Sequence, residues 1–513
     1  MEKRAKELAV VLAFAAIMSA VQLAPTLGGY AVKDGYLGFE FPEDNYVYAS
    51  FVEGAQHGIF LENKQTSEPQ QGRYFLPLFL AMGQAARIGM PIETVFVLSR
   101  FFGVIFFLTA LWIFLGLVFK KFGERFFAYG FISLAGGFGW LVALLGNIFP
   151  EVARIKSSDL TFWYGYSLVG NMFVPHRYWA LGLALLGFVL VLEYLKKGSL
   201  KPLLIAGAIE LVIFFIHPVT AIFFAVTVAL MQIMDAISAK NPLTGMYQIS
   251  KETIIVAANF SVFMVPAILY ALWSSQDKVI AAHQQIYFFI AKQEPLLFYF
   301  VGFGMVLILG LIGLTRIPGE KRVAWLLLAW LLGSFALTRV GFGAEYLIFF
   351  YIITAVFAVH WLISVRQKIP GYALALLVLA CVLSAPFVLS ERSQWTNNNA
   401  LSFISTAEHE ALDFLAEQPK GIVMSDQRIG AIISWKTPHK PVLAHAYLTF
   451  GRKGTVEDVN LFFSGELGIA EKYGADYVWV NESGKKIFNG SLEFVPIFSN
   501  SGVSIYRRVL AAG

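Results

Sequence analysis

The chain has 513 residues, of which 57% are hydrophobic and 14% are charged, and its formal net charge is +5. Soluble domains carry about 25% charged residues, so this composition excludes an ordinary water-soluble protein. The apolar residues form runs long enough to cross a bilayer, which indicates an all-α polytopic membrane protein. No stretch interleaves basic and aromatic residues, and we therefore expect no nucleic-acid partner.

In chain order, the sequence predicts about eleven membrane-spanning helices, since each span needs about 20 apolar residues. They are predicted at 7–24, 93–118, 126–147, 176–194, 202–216, 219–236, 253–273, 295–315, 322–338, 343–365 and 371–390. The first span lacks a small-residue cleavage site, so it is predicted to be retained. Segments 202–216 and 219–236 are short and flank His217-Pro218, so one broken helix is an alternative.

The basic residues predict the orientation of the spans. Clusters of Lys and Arg precede the first span and follow the second, fourth, sixth, eighth and tenth. The positive-inside rule then places the N-terminus in the cytoplasm, and an odd count places the C-terminus outside. Segment 74–90 would reverse this order as a full span. It is therefore predicted to be an interfacial or re-entrant piece of a long first outer loop, residues 25–92.

Two domains are predicted: a transmembrane domain, residues 1–390, and an extracytoplasmic α/β domain, residues 391–513. In the second domain, helices and strands alternate, which is typical of a small α/β fold. Helices are predicted at 405–417, 428–435 and 456–473, and strands at 421–425, 441–447 and 476–482, with a final strand pair at 493–507. The only cysteine is Cys381, so no intrachain disulfide can form.

Under this topology, ionisable side chains from many separate segments lie at the outer face, which predicts one polar site at that depth. Guanidinium groups suit bidentate phosphate binding, so the arginines are candidate phosphate clamps, and the histidines near them are candidates for phosphate or sugar hydroxyls. The candidates are Glu43, Asp44, His57, Arg100, His176, Arg177, His217, Arg339 and Glu345.

Simpler interpretations of these residues exist. The arginines could extend to lipid headgroups. Asp44 could be the N-cap of the helical run that follows it. His217-Pro218 could mark only the end of a helix.

The first 125 residues resemble the GT-C superfamily of membrane glycosyltransferases. The acidic pair Glu43-Asp44 in FPEDNYVYASFVEGAQHG follows the first span, as the first-loop carboxylate of that family does. The Pro-containing piece YFLPLFLAMGQAARIGMP comes next, and Arg100 lies early in the second span. The segments NMFVPHRYWALGLALL, FFIHPVTAIFFAV and VMSDQRIGAIISWKTPHKPVLAHAYLT are similar to bacterial and archaeal GT-C-like proteins. The oligosaccharyltransferase motif Trp-Trp-Asp-Tyr-Gly is absent.

The resemblance implies a membrane enzyme of glycan biosynthesis in the cell envelope. Such an enzyme moves a sugar from a polyprenyl-phosphate donor to a lipid, glycan or protein acceptor, with inversion at the anomeric carbon. It implies Asp44 as the catalytic base, Glu43 as the second carboxylate and a substrate-binding role for His445. A divalent metal stays open, because no local pair of histidines suggests one.

Two other functions remain open at this stage. A transporter or lipid flippase would need polar groups along a path through the bilayer, often in paired repeats. A non-catalytic assembly protein would use the outer domain for binding. The concentration of ionisable groups at one face favours the enzyme.

Overall fold

The computed structural model describes residues 2–32, 34–153, 158–161, 167–171, 174–238, 250–289, 296–316, 319–340, 343–488 and 491–509. These residues are mostly helical. The helices are α1 Glu2–Gln22, α2 Ala24–Val32, α3 Pro42–Gly54, α4 Pro77–Arg87, α5 Ile92–Val118, α6 Phe122–Leu134, α7 Gly139–Gly146, α8 Pro150–Ala153, α9 Ser158–Thr161, α10 Leu168–Asn171, α11 Pro175–Lys197, α12 Leu200–Ile216, α13 Pro218–Ser238, α14 Lys251–Ser274, α15 Lys278–Phe289, α16 Leu296–Gly313, α17 Lys321–Leu337, α18 Leu347–Val365, α19 Gly371–Val382, α20 Ser384–Asn398, α21 Thr406–Ala416, α22 Gln427–Lys436, α23 Arg452–Phe463 and α24 Ile469–Lys472. The strands are β1 Ile422–Met424, β2 Lys440–Pro441, β3 Tyr477–Asn481, β4 Phe494–Ser499 and β5 Val503–Arg508.

Within the described residues, seven helical segments are long and apolar enough to cross a membrane, and α6 with α7 could add an eighth as a span bent by 45°. The seven are Ala5–Gln22, Ile92–Val118, Pro175–Lys197, Pro218–Ser238, Lys251–Ser274, Gly343–Val365 and Gly371–Asn398. The predicted spans at 202–216, 295–315 and 322–338 are also helical, but α12, α16 and α17 have only 17 or 18 residues. A multi-pass membrane protein is confirmed, and the count of eleven stays a prediction.

Segment 74–90 contains the amphipathic helix α4. With 11 residues it is about 16 Å long, too short for the roughly 30 Å of a bilayer core. Its buried face carries Phe79, Met82 and Ala86. This length agrees with the prediction that the segment is not a full span.

The chain divides into two compact units. Unit one contains Met1–Ala24, Arg100–Ala271 and Tyr287–Arg392. Its core is aromatic: the Phe223 ring stacks on the Phe349 ring at 3.9 Å between centroids, and the Trp330 indole lies 5.3 Å from Phe223. Trp330 Nε1 also donates a hydrogen bond to the Phe349 carbonyl oxygen at 2.8 Å, which ties α17 to α18.

Unit two contains Pro25–Ser99, Leu272–Ile286 and Ser393–Gly513. It differs from the predicted division at residue 390, because the first loop and the C-terminal residues share one hydrophobic core. Tyr46 of α3 stacks on Trp435 of α22 with 5.5 Å between ring centroids, and Phe39 lies 5.1 Å from the same indole. The C-terminal residues therefore share one core with the first loop and build a second cluster of their own around Val459, Phe462 and Phe494.

The five strands form one mixed sheet of order β2-β1-β3-β5-β4. β1 pairs in parallel with β2 and β3, whereas β5 pairs antiparallel with β3 and β4. The α/β character of these residues is confirmed. The predicted strand at 441–447 is wrong beyond Pro441, because the Ala444 N–H bonds to the Thr449 hydroxyl and the chain turns away from the sheet. The predicted helix at 456–473 is interrupted near Gly465, whose φ is 119°.

Candidate functional site

The acidic pair predicted as catalytic lies in the first turn of α3. Phe41 is the N-cap residue, with φ 51° and ψ 60°, a left-handed conformation that is rare for a residue other than glycine. Its ring stacks on Trp395 at 4.4 Å between centroids, which holds the turn. The interpretation of Asp44 as an N-cap is therefore wrong. Both carboxyl groups lie at the positive end of the helix dipole.

The turn before α3 is fixed by buried hydrogen bonds. Asn45 Nδ2 donates to the Glu40 carbonyl oxygen at 2.5 Å, and the Thr26 hydroxyl donates to Glu40 Oε1 at 2.7 Å. Glu40 has no exposed surface. These hydrogen bonds thus fix the backbone that leads into the acidic pair.

His445 faces Asp44. Its Nε2 lies 3.5 Å from Asp44 Oδ1, and its side chain is 9% exposed whereas that of Asp44 is 35% exposed. His445 Nδ1 accepts a hydrogen bond from the Tyr447 backbone N–H at 3.1 Å. An accepting Nδ1 carries no proton, so a ring with one hydrogen carries it on Nε2, the nitrogen nearer Asp44.

The second carboxyl group of the pair has a perturbed affinity for protons. Burial and then the charge of Asp44 raise the pKa of Glu43, while His445 opposes the shift. Close by, His283 Nδ1 lies 3.1 Å from the Tyr74 hydroxyl. Burial and then the charge of His445 lower the pKa of His283 to about 4. His283 and Tyr74 therefore extend the Asp44–His445 cluster with neutral partners.

His57 belongs to a different set of contacts. Its exposed Nε2 lies 3.5 Å from Glu53 Oε1. Glu53 Oε2 is in turn 2.6 Å from Lys64 Nζ, which also donates to the Thr437 carbonyl oxygen at 2.7 Å. Burial lowers the pKa of Lys64. This group ties the first loop to the residues after α22.

In unit one, four predicted site residues come together at the N-terminal ends of α11 and α13. Arg177 Nη2 lies 2.5 Å from Glu345 Oε1, and His217 Nε2 lies 3.8 Å from Glu345 Oε2. The rings of His176 and His217 are 5.3 Å apart. Arg177 and His176 are buried. The Glu345 carboxylate therefore contacts both Arg177 and His217.

Arg100 lies beside a second arginine, Arg392, which is not among the predicted site residues. Arg100 Nη2 and Arg392 Nη2 both approach the Gln22 carbonyl oxygen, at 3.4 and 3.3 Å. Arg392 also donates to Gln22 Oε1 at 2.5 Å and to the Val169 carbonyl oxygen at 2.7 Å. Its position two residues after the last predicted span made it resemble an ordinary boundary residue.

Arg339 borders an apolar cavity of about 380 Å³ lined by α16, α17 and α18. Its guanidinium carbon lies 4.8 Å from the centre of the Tyr299 ring and 5.6 Å from that of Phe335. Thr354 also lines the cavity, but its hydroxyl donates to the Phe350 carbonyl oxygen at 2.6 Å. Arg339 is therefore the one charged residue among the cavity's lining residues, which all belong to the described part of unit one.

Among the described residues, no group of three or more His, Cys, Asp or Glu side chains could hold a metal ion. The ionisable side chains described at the candidate site are carboxylates, imidazoles and guanidinium groups. The predicted single site formed by all these residues stays a prediction. His283, Tyr74 and Arg392 were missed because nothing local in the sequence pairs them with Asp44 or Arg100.

The fold is similar to those of an oligosaccharyltransferase and of ArnT, two proteins with solved structures. One similar structure is the oligosaccharyltransferase of Archaeoglobus fulgidus, with a TM-score of 0.55 and 15% identity over 98% of this chain and 74% of that one. Another is ArnT from Cupriavidus metallidurans bound to undecaprenyl phosphate, with a TM-score of 0.52 and 11% identity over 98% of each chain. No family model and no curated protein sequence matches the chain.

Proposed function

We propose that this protein is a glycosyltransferase that moves a sugar from a polyprenyl-phosphate donor to a lipid, glycan or protein acceptor at the extracytoplasmic face. One observation carries the proposal: a partly exposed carboxylate, Asp44, lies at the start of α3 and faces His445, in a chain with the GT-C fold.

In this reaction Asp44 takes the proton of the acceptor hydroxyl as its oxygen attacks the anomeric carbon. The bond between that carbon and the phosphate oxygen breaks, and the polyprenyl phosphate leaves with the electron pair. A single displacement of this kind inverts the anomeric configuration. Burial and the charge of Asp44 raise the pKa of Glu43, and Asp44, the more exposed carboxylate facing His445, is proposed as the ionised base.

The leaving phosphate needs cations near it as its charge develops. Arg100, Arg177 and Arg339 are proposed for this role, with His176 and His217 as further donors. Arg177 is already paired with Glu345 at 2.5 Å. We propose that Glu345 holds the Arg177 side chain in place before the donor binds. When the donor binds, its more highly charged phosphate replaces Glu345 as the partner of Arg177.

The apolar cavity beside Arg339 is proposed to hold part of the polyprenyl chain. Its volume of about 380 Å³ lies within the roughly 300–1,000 Å³ typical of ligand pockets. Its lining includes Tyr299 and Leu314, which lie on opposite sides of the kink at Gly304. Leu332 and Phe335 in its lining are 51% and 46% exposed, so a lipid can enter from the bilayer.

The similar structures support this class of donor. A second structure of the archaeal oligosaccharyltransferase, with a TM-score of 0.54, holds an inhibitory peptide and a dolichol-phosphate. Its peptide substrate is not carried over to this chain, because the Trp-Trp-Asp-Tyr-Gly motif is absent.

The proposal is tested with purified protein and a panel of radiolabelled polyprenyl-phosphate sugars, each incubated with a membrane lipid extract. We expect sugar transfer with at least one donor. Asp44→Asn should reduce its rate by about 10²- to 10⁴-fold, the usual contribution of a general base. Asp34→Asn, an exposed neighbour in the same loop, is the matched control and should keep the rate. Transfer by Asp44→Asn at the wild-type rate would refute the assignment of the base.

A further inference from the structure

The imidazole of His445 has a fixed direction. Its Nδ1 receives the Tyr447 backbone N–H at 3.1 Å, and its Nε2 lies 3.5 Å from Asp44 Oδ1. Rotating the ring by 180° would break the first contact. The backbone of the loop therefore determines which nitrogen meets the carboxylate.

The loop that carries His445 is hydrogen-bonded to the first loop. The Thr449 hydroxyl donates to the Gln65 carbonyl oxygen at 3.1 Å, and Asn63 Nδ2 donates to the Leu448 carbonyl oxygen at 2.9 Å. The Thr449 backbone N–H closes the turn on the His445 carbonyl oxygen at 3.2 Å. All of these contacts lie within unit two, so His445 and Asp44 share one scaffold.

We propose that His445 is a positioning residue: it donates its Nε2–H to Asp44, sets the direction of the carboxylate and favours its ionised form. This inference rests on the proposed function, in which Asp44 is the base. The separation of 3.5 Å is long for a hydrogen bond. Catalytic hydrogen bonds are often long without substrate and shorten in the substrate complex.

The geometry favours positioning over proton transfer through the ring. A relay would require Nδ1 to release a proton, yet Nδ1 is occupied as an acceptor of the Tyr447 N–H. The other titratable groups of the cluster are Glu43, beside Asp44, His283, whose pKa His445 helps to lower, and Tyr74, which hydrogen-bonds to His283. His445 is thus held with Nδ1 as an acceptor and with Nε2 toward Asp44.

Three variants test the role. His445→Leu removes the donor, and His445→Gln keeps an N–H near the Nε2 position. His439→Gln is the matched control, because buried His439 also accepts a backbone N–H, from Gly421, at Nδ1 and has Nε2 beside a backbone oxygen, that of Leu415. Thermal unfolding of each variant shows whether it folds.

The readout is kcat and KM for the donor across pH 5 to 9. His445→Leu should lower kcat by about 10- to 100-fold, the value of a hydrogen bond to a charged group, with KM nearly unchanged. The acid limb of its kcat profile should move up by about one pH unit, because ionised Asp44 loses a donor. His445→Gln should restore most of the wild-type kcat and most of the wild-type position of the acid limb. His439→Gln should change neither quantity.

The outcomes separate this inference from the proposed function. If His445→Leu keeps the wild-type kcat and profile while Asp44→Asn is inactive, the positioning role is wrong and the enzyme assignment stands. If Asp44→Asn is fully active, the proposed function fails first. If His445→Leu does not fold, the His445→Gln profile decides: an unshifted acid limb with near-normal kcat supports positioning, and a loss as large as that of Asp44→Asn contradicts it.

Discussion

Arg177 and Glu345 form an ion pair with 2.5 Å between Nη2 and Oε1, and their side chains are only 7% and 10% exposed. Breaking a buried pair by removing one partner typically costs about 3–5 kcal/mol, because the other charge stays buried without compensation. Glu345→Gln should therefore lower the unfolding temperature in detergent markedly.

The double variant Arg177→Met/Glu345→Met separates stability from substrate binding. Replacing both charges by apolar groups is often neutral for stability. We expect the double variant to unfold near the wild-type temperature and to bind a polyprenyl phosphate more weakly. Wild-type affinity in a folded double variant would remove Arg177 from the proposed phosphate site.

The cavity beside Arg339 gives a second prediction. Leu311 lines the cavity and Ile312 does not, although both are exposed apolar residues of α16, at 54% and 42%. Leu311→Trp should fill the cavity and weaken binding of undecaprenyl phosphate, measured by native mass spectrometry. Ile312→Trp should bind like the wild type. Equal binding of undecaprenyl phosphate by the two variants would contradict the proposal that the polyprenyl chain occupies this cavity.

His283 predicts a dependence of stability on pH. Its pKa is about 4 in the folded protein and about 6.5 in a free imidazole. Between these values the unfolded chain binds more protons, so stability should be complete above pH 6.5 and fall as the pH drops toward 4.

His283→Gln keeps a hydrogen-bonding group for Tyr74 and removes the titration. Its loss of stability between pH 6.5 and 4, measured by thermal unfolding, should be smaller than that of the wild type. Some loss should remain, because burial also lowers the pKa of His439. An identical loss in both proteins would contradict the role of His283.

Trp435 gives a prediction about unit two. It is 2% exposed and contacts Phe39 and Tyr46. Trp435→Ala should cost about 3–5 kcal/mol, as is usual for large buried aromatics. It should also expose the first loop to limited proteolysis. Trp273→Ala, at a position 39% exposed, is the control and should have a small effect.

The sequence was most informative where the pattern is local. Runs of apolar residues located the long helices, and α21 at Thr406–Ala416 begins with the capping box of Ser405 and Glu408 that local spacing favours. The sequence did not predict contacts between segments that are far apart in the chain. Nothing in the sequence near Asp44 indicates that Tyr74 and His283, 209 positions apart, hydrogen-bond beside its partner His445.

The same limit explains the errors. PVLAHAY has the composition of a strand, but the Thr449 side chain offers its backbone another partner and a turn forms. Asp44 has the residue type of an N-cap, but Pro42 fixes the start of the helix two positions earlier. In both cases a neighbouring residue outweighed the intrinsic preference.

The shared core of unit two has a consequence for biosynthesis. Residues 25–99 are synthesised before residues 393–513, which complete their packing. The segment that carries Asp44 therefore completes its packing only after the segment around Trp435 has been synthesised. A nascent chain arrested before Trp435 would hold the acidic pair in an immature, inactive form.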